Sequence, residues 1–141
     1  MATWTAYPIG ILNMLNGTID LDSHTFKVAL LNSSGTYNSA HDEWADVSAN
    51  EISSANGYTT PGQNLGSPTL TNNSGTIEWS GTDPVWTASG GSIGPTENAV
   101  IYDDTSTGDK LVCHLNFTAQ TAASGATLTI DLAAGKILTF A

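Results

Sequence analysis

Three histidines, His24, His41 and His114, are the residues from which acid–base chemistry near neutral pH would have to be built. His114 directly follows the single cysteine, Cys113, and a thiol beside an imidazole is the pair from which a thiolate nucleophile is made. The two stand within Leu111-Val112-Cys113-His114-Leu115-Asn116-Phe117, where Leu, Cys, Leu and Phe take the odd positions. Adjacent residues on a strand point to opposite faces, so thiol and imidazole diverge. Cys113 then reads as a small buried hydrophobe, and His114 as an exposed cross-strand residue on a mostly wet face.

Asp42-Glu43 with Asp46, and Asp103-Asp104, offer the paired carboxylates that glycoside hydrolysis requires. Both groups flank turn-rich segments, where acidic residues are ordinarily solvated. Asp20-Leu21-Asp22 is a two-carboxylate fragment and reads as a solvated turn, while one cysteine and no histidine pair at ligand spacing argue against zinc. The chain has no phosphate-binding Gly-rich motif and no nucleophile elbow. The expectation is a protein that is not an enzyme, without catalytic residues, metal ligands or cofactor.

Aromatic side chains are the remaining handle. Trp79 and Trp86 fit strand cores, whereas Trp4, Tyr7, Trp44 and Tyr58 lie in segments of weak periodicity. With Ile9 beside the first two, these five residues are the candidate contacts to another protein, since aromatic anchors dominate many interfaces. The competing reading is a satellite apolar cluster beneath a long connection, with sugar stacking on an exposed Trp as a third.

The composition narrows the partners. Among 141 residues only Lys27, Lys110 and Lys136 are basic, and the formal net charge is -10. Affinity for nucleic acid comes largely from Lys and Arg neutralising phosphates, so nucleic acid is a poor partner, and an anionic membrane surface fails for the same reason. No stretch approaches the ~20 apolar residues of a membrane helix. Met1-Ala2-Thr3-Trp4 lacks the basic start of a signal peptide, so synthesis in a cytoplasm without secretion is expected. A chain of this length buries about 68% of its unfolded surface, and with a single Cys its core must hold by packing.

The elements that would position these residues read mostly as strands. Residues 1–25 form an apolar N-terminal arm, part of it a short helix opened by Pro8, with Ile11, Leu12 and Leu15 sharing a face. Phe26–Leu31 reads as a strand buried on both faces, and residues 36–67 as a long, partly ordered connection. Further strands are expected at Thr76–Trp79, Val85–Ala88, Ala99–Tyr102, Leu111–Phe117, Ala126–Leu132 and Ile137–Phe140, with Leu111, Cys113, Leu115, Phe117, Leu128 and Ile130 facing one core. The fold class is all-β: a single-domain antiparallel β-sandwich or small barrel over residues 26–141, with the short N-terminal arm or helix packed on a neighbour or on its own core.

Phe26-Lys27-Val28-Ala29-Leu30-Leu31, Asp42-Glu43-Trp44-Ala45-Asp46-Val47, Asn50-Glu51-Ile52, Gly57-Tyr58-Thr59 and Ala99-Val100-Ile101-Tyr102-Asp103 together resemble a family of small tailed-bacteriophage virion structural proteins. The resemblance runs from about residue 18 to the end, and its motifs are structural, so they transfer no functional residue. One departure is Gly90-Gly91-Ser92-Ile93-Gly94-Pro95, which looks looser than a strand. The resemblance implies a decoration or cement protein on the outer capsid surface, with the major capsid protein as partner, or a tail or fibre module binding a host glycan. Too few charges to saturate the surface, together with aromatics outside the clear strands, add an expectation of a homo-oligomer, with a trimer as first guess.

Overall fold

The computed structural model describes residues 3–141, and among them the chain is antiparallel β with one α-helix. The elements are β1 (Thr5–Ala6), α1 (Pro8–Leu15), β2 (Phe26–Leu31), β3 (Gln63–Asn64), β4 (Gly66–Asn73), β5 (Thr76–Thr82), β6 (Val85–Thr87), β7 (Ile93–Asp103), β8 (Lys110–Ala122), β9 (Thr127–Thr129) and β10 (Lys136–Phe140). One layer is a five-stranded sheet ordered β1-β8-β7-β2-β3; the other combines β10-β5-β4 with the pair β6-β9.

Between the layers lies the main core. Cross-strand rows Val28–Ile101–Cys113 and Leu30–Ala99–Leu115 face it from the larger sheet. Trp79, Leu138, Trp86 and Leu128 answer from the smaller ones, with Phe26 set edge-on to Trp79 at 4.9 Å between ring centroids. The reading of Trp79 and Trp86 as core residues holds, and both are buried. Each large apolar side chain buried here is worth about 1.5–3 kcal/mol, which is how a chain without a disulfide keeps this fold.

The back of the large sheet is also covered. Ala29, Leu31, Val100, Tyr102 and Leu111 form a second cluster with Tyr7 and Val47, and Trp44 stacks on Tyr102 at 4.7 Å. This corrects the expectation of a wet face on β8, where Val112 and His114 are buried as well as Leu111, Cys113 and Leu115. It also corrects the single-core alignment of that strand. Tyr102 pairs with Leu111 and Ile101 with Cys113, so Val112 bulges from the register. A bulge resets the two-residue alternation. Leu111 therefore joins the back cluster, while Val112, Cys113 and Leu115 join the main core with Leu128 and Ile130.

Residues 36–62, within the stretch 36–67 read as a partly ordered connection, are built onto the sheet. Two 3-10 turns, Trp44–Asp46 and Ser48–Asn50, place Trp44 and Val47 on the back face. β3 pairs only with Lys27 and Val28, so further along the free edge of β2 needs other partners. Ile52 N–H donates to Leu30 O and the Tyr58 hydroxyl accepts Leu30 N–H, so the connection satisfies and covers an otherwise open edge. The Gly90–Pro95 stretch, which looked too loose for a strand, enters β7 at Ile93 and pairs with β8 through register shifts. β4 lies where no strand was expected: Gly-Ser-Pro-Thr-Leu-Thr-Asn-Asn is polar and contains Pro68, which an edge strand tolerates and a central one does not.

α1 begins at Pro8 as expected, and the face shared by Ile11, Leu12 and Leu15 is turned away from the protein. Gly10 and Asn13 face inward instead. A Cβ on Gly10 would lie 2.6 Å from Leu111 O, so the glycine allows the helix to rest directly on the β8 backbone. Asn13 then reaches Asp42 Oδ1 at 3.0 Å through its side-chain amide. Close backbone approach and a buried polar tether, rather than an apolar stripe, dock this helix.

Candidate functional site

The Cys113 thiol is fully buried, and burial pushes its pKa well above the ordinary value, which leaves no thiolate for chemistry. His114 sits on the opposite face of β8, as the alternation requires, but is not exposed as expected. Its Nε2 lies 2.9 Å from Gly35 O, and its ring packs edge-on against Tyr37 at 5.9 Å and Tyr7 at 6.4 Å. Burial lowers the His114 pKa, and only the contact to Gly35 O pulls the other way. A neutral imidazole donating from Nε2 to that carbonyl is the consistent state.

His24 Nδ1 lies 2.6 Å from Asp103 Oδ2, and Asp103 is buried with its other oxygen accepting the N–H groups of Thr105 and Ser106. A His–Asp pair is two-thirds of a catalytic triad, but among the described residues no hydroxyl or thiol is hydrogen-bonded to the far nitrogen of His24. The pair ties the start of β2 to the end of β7. The Asp42-Glu43 carboxylates converge on Lys110, with Nζ at 2.6 Å from Asp42 Oδ2 and 2.8 Å from Glu43 Oε1. These bonds raise the Lys110 pKa and lock the loop to β8. Asp46 is held below the usual carboxylate range by the N–H groups of Asp42 and Glu43, as in a helix cap. Asp104 pairs with Lys27 at 3.5 Å, and Asp20 caps its own turn through Asp22 and Ser23. Each acidic group singled out in the sequence thus has structural partners.

Of the five candidate contact residues, the structure moves most inward. Trp4 lies in the main core and Tyr7 in the back cluster, because β1 pairs with β8 and sends alternate residues through the sheet. Of the two placements expected for the arm, on a neighbour or on its own core, residues 3–25 take the second within the chain, contributing Trp4, Ile19 and Leu21 to the same core as Phe26. Met1 and Ala2 lie outside the described residues. Tyr58 is buried against Trp86 at 5.9 Å, Trp44 is half-covered on Tyr102, and Ile9 is partly exposed on α1. Burial raises the pKa of Tyr7 and Tyr58 well beyond the ordinary phenol range.

Among the described residues, two concave surfaces bear on function. A cleft of about 420 Å³ lies between the 51–58 loop and the start of β7, lined by Asn32, Glu51, Ser53, Asn56, Ser92 and Pro95 among others. At its wall Glu51 Oε1 accepts the Tyr58 hydroxyl at 2.6 Å, and burial holds the Glu51 carboxyl above its usual pKa against that bond. The other surface is an apolar groove of about 190 Å³ at the mouth of the sandwich, where Ile11, Met14 and Leu15 of α1 face Leu70, Ile77 and Phe140 of the three-stranded sheet. Beside it Leu12 and Leu15 stand 58% and 82% exposed. The sequence pattern placed Ile11, Leu12 and Leu15 on one helical face without giving its direction. A glycine and an asparagine flanked by leucines and isoleucines were the available signal that the helix is turned outward.

No protein family, curated protein or solved structure matches this chain.

Proposed function

We propose that this protein is a non-catalytic structural component that works by protein–protein contact: a bacteriophage capsid decoration (cement) protein that binds the outside of the major capsid protein shell, self-associates and stabilises the virion. The observation that carries the contact function is the outward apolar face of α1 beside the groove at the sandwich mouth. Four of the large apolar side chains left exposed, Ile11, Leu12, Leu15 and Leu70, gather there on a polar, acidic molecule. Clustered apolar exposure of that kind marks an interaction surface, whereas single exposed apolar residues are ordinary. The virion assignment draws on the sequence resemblance, and an acidic surface with three lysines suits the outside of a DNA-filled shell. Electron microscopy of intact particles tests it: density for this fold on the outer shell is the expected result, and its absence from the head refutes the assignment.

A second reading, a tail or fibre module that binds a host glycan, is favoured by the cleft at Glu51, which combines a carboxylate, side-chain amides and hydroxyls. Glycan-array binding that is lost in Glu51→Gln, together with particle density at the tail, would support this reading over decoration.

A further inference from the structure

The apolar surface at the sandwich mouth contains both a ridge and a groove. Leu12 and Leu15 project from α1, and the adjoining groove of about 190 Å³ is floored by Leu21, Leu70, Ile77 and Phe140. That volume accommodates roughly one or two leucine side chains. A surface carrying its own complement side by side is what a two-fold interface needs, because each copy then supplies the knob for the other's hole.

Charge points the same way. Neither α1 (Pro-Ile-Gly-Ile-Leu-Asn-Met-Leu) nor the neighbouring edge strand β4 (Gly-Ser-Pro-Thr-Leu-Thr-Asn-Asn) contains a charged residue, although the chain carries a net charge of -10. Two such anions can meet without opposing like charges only through a neutral surface. A foreign partner of an acidic protein gains affinity and association rate from opposite charge, and these two elements offer none. The apolar residues supply the centre of an interface and β4 must supply the rest. Ile11, Leu12, Leu15 and Leu70 together expose on the order of 400 Å², about half of the ~800 Å² per partner of a standard interface, and the free edge of β4 beside them extends it.

We propose that two copies of this chain pair about a two-fold axis through the mouth of the sandwich, with Leu12 and Leu15 of each seated in the apolar groove of the other. This deepens the self-association within the proposed function and replaces the trimer guess with a dimer. It is tested on the isolated protein, so its failure is separate from failure of the virion assignment.

Sedimentation equilibrium of the full chain is the measurement, on wild type, Leu15→Lys and Leu70→Lys. All three should keep the same circular dichroism spectrum, since Leu15 is largely solvent-facing and Leu70 lies on an edge strand. The expected result is a dimer at micromolar concentration whose dissociation constant rises about tenfold or more in each variant. Added salt should tighten it, because salt screens repulsion between two acidic copies. A monomer at all concentrations, a dimer indifferent to both substitutions, a dimer weakened by salt, or a trimer of any kind would overturn the proposal. So would a monomer whose Leu15→Lys variant is lost from purified particles, which would give the surface to the shell protein instead.

Discussion

Gly10→Ala sets two effects of opposite sign against each other. In an exposed helix the substitution gains about 1 kcal/mol, because alanine restricts the unfolded chain and favours the helix. Here the new methyl would lie 2.6 Å from Leu111 O and 3.1 Å from Val112 O. Both are backbone atoms of a strand held between β1 and β7, so neither can swing aside as a side-chain tip would. The helix must lift, which strains the 3.0 Å Asn13–Asp42 bond and loosens Tyr7, fully buried at the helix N-terminus. Overpacking of this type costs about 1–3 kcal/mol. Because the clash is with backbone that cannot yield, the cost falls in the upper part of that range, about 2–3 kcal/mol, and set against the propensity gain the expected net loss is about 1–2 kcal/mol, or a fall in Tm of roughly 3–10 °C for a domain of this size. Gly10→Ser, which adds the same Cβ with a poorer helix former, should fall further. Thermal and urea unfolding by far-UV circular dichroism provide the measurement. A Gly10→Ala Tm equal to or above wild type would refute the docking of α1 through backbone contact.

Three further outcomes are expected. Leu128→Ala removes a buried side chain from the core that also holds Cys113 and Leu115 and should cost about 2–5 kcal/mol in urea unfolding; an unchanged midpoint would contradict its placement. Tyr58→Phe deletes the hydroxyl that accepts Leu30 N–H at 3.0 Å and donates to Glu51 at 2.6 Å, leaving a buried donor unpaired, so a loss of about 1–3 kcal/mol is expected from the same assay. His114, with its pKa lowered by burial from 6.5, binds a proton more readily when unfolded. Unfolding free energy should therefore rise with pH below about 6.5, the stability being present above that value and lost as pH falls through the window beneath it. His114→Gln should flatten that slope, and an identical pH profile in the variant would show that this imidazole is not responsible.

What the sequence determined by itself was the class of the protein. Two-residue alternation, β-branched runs and Gly/Asn turns pointed to an all-β chain, and Phe26–Leu31 was legible as a strand buried on both faces and Ala99–Tyr102 as a buried strand because both are almost wholly apolar. The divergence of Cys113 from His114 was likewise fixed by strand geometry alone. The back of the large sheet was not legible. His114 is buried there because Tyr7, Gly35 and Tyr37 close over it, and no local pattern records a cover supplied by residues more than seventy positions away. The bulge at Val112 reversed a face assignment that perfect alternation had implied, since one inserted residue exchanges the two sides of a strand.

The contact surface shows the same division. Ile11, Leu12 and Leu15 were identifiable as one helical face from their spacing, but spacing gives a stripe and not the direction it points. Direction was decided by β8, whose backbone admits a helix only where the side chain is absent, and by Asp42, which offers an acceptor only to the face bearing Asn13. Both lie far from the helix in sequence and become its neighbours only when the sheet has formed. The sequence therefore determined that an apolar face exists, and the tertiary structure alone decided that it faces outward, because close backbone packing on one side of α1 leaves its leucines to the other.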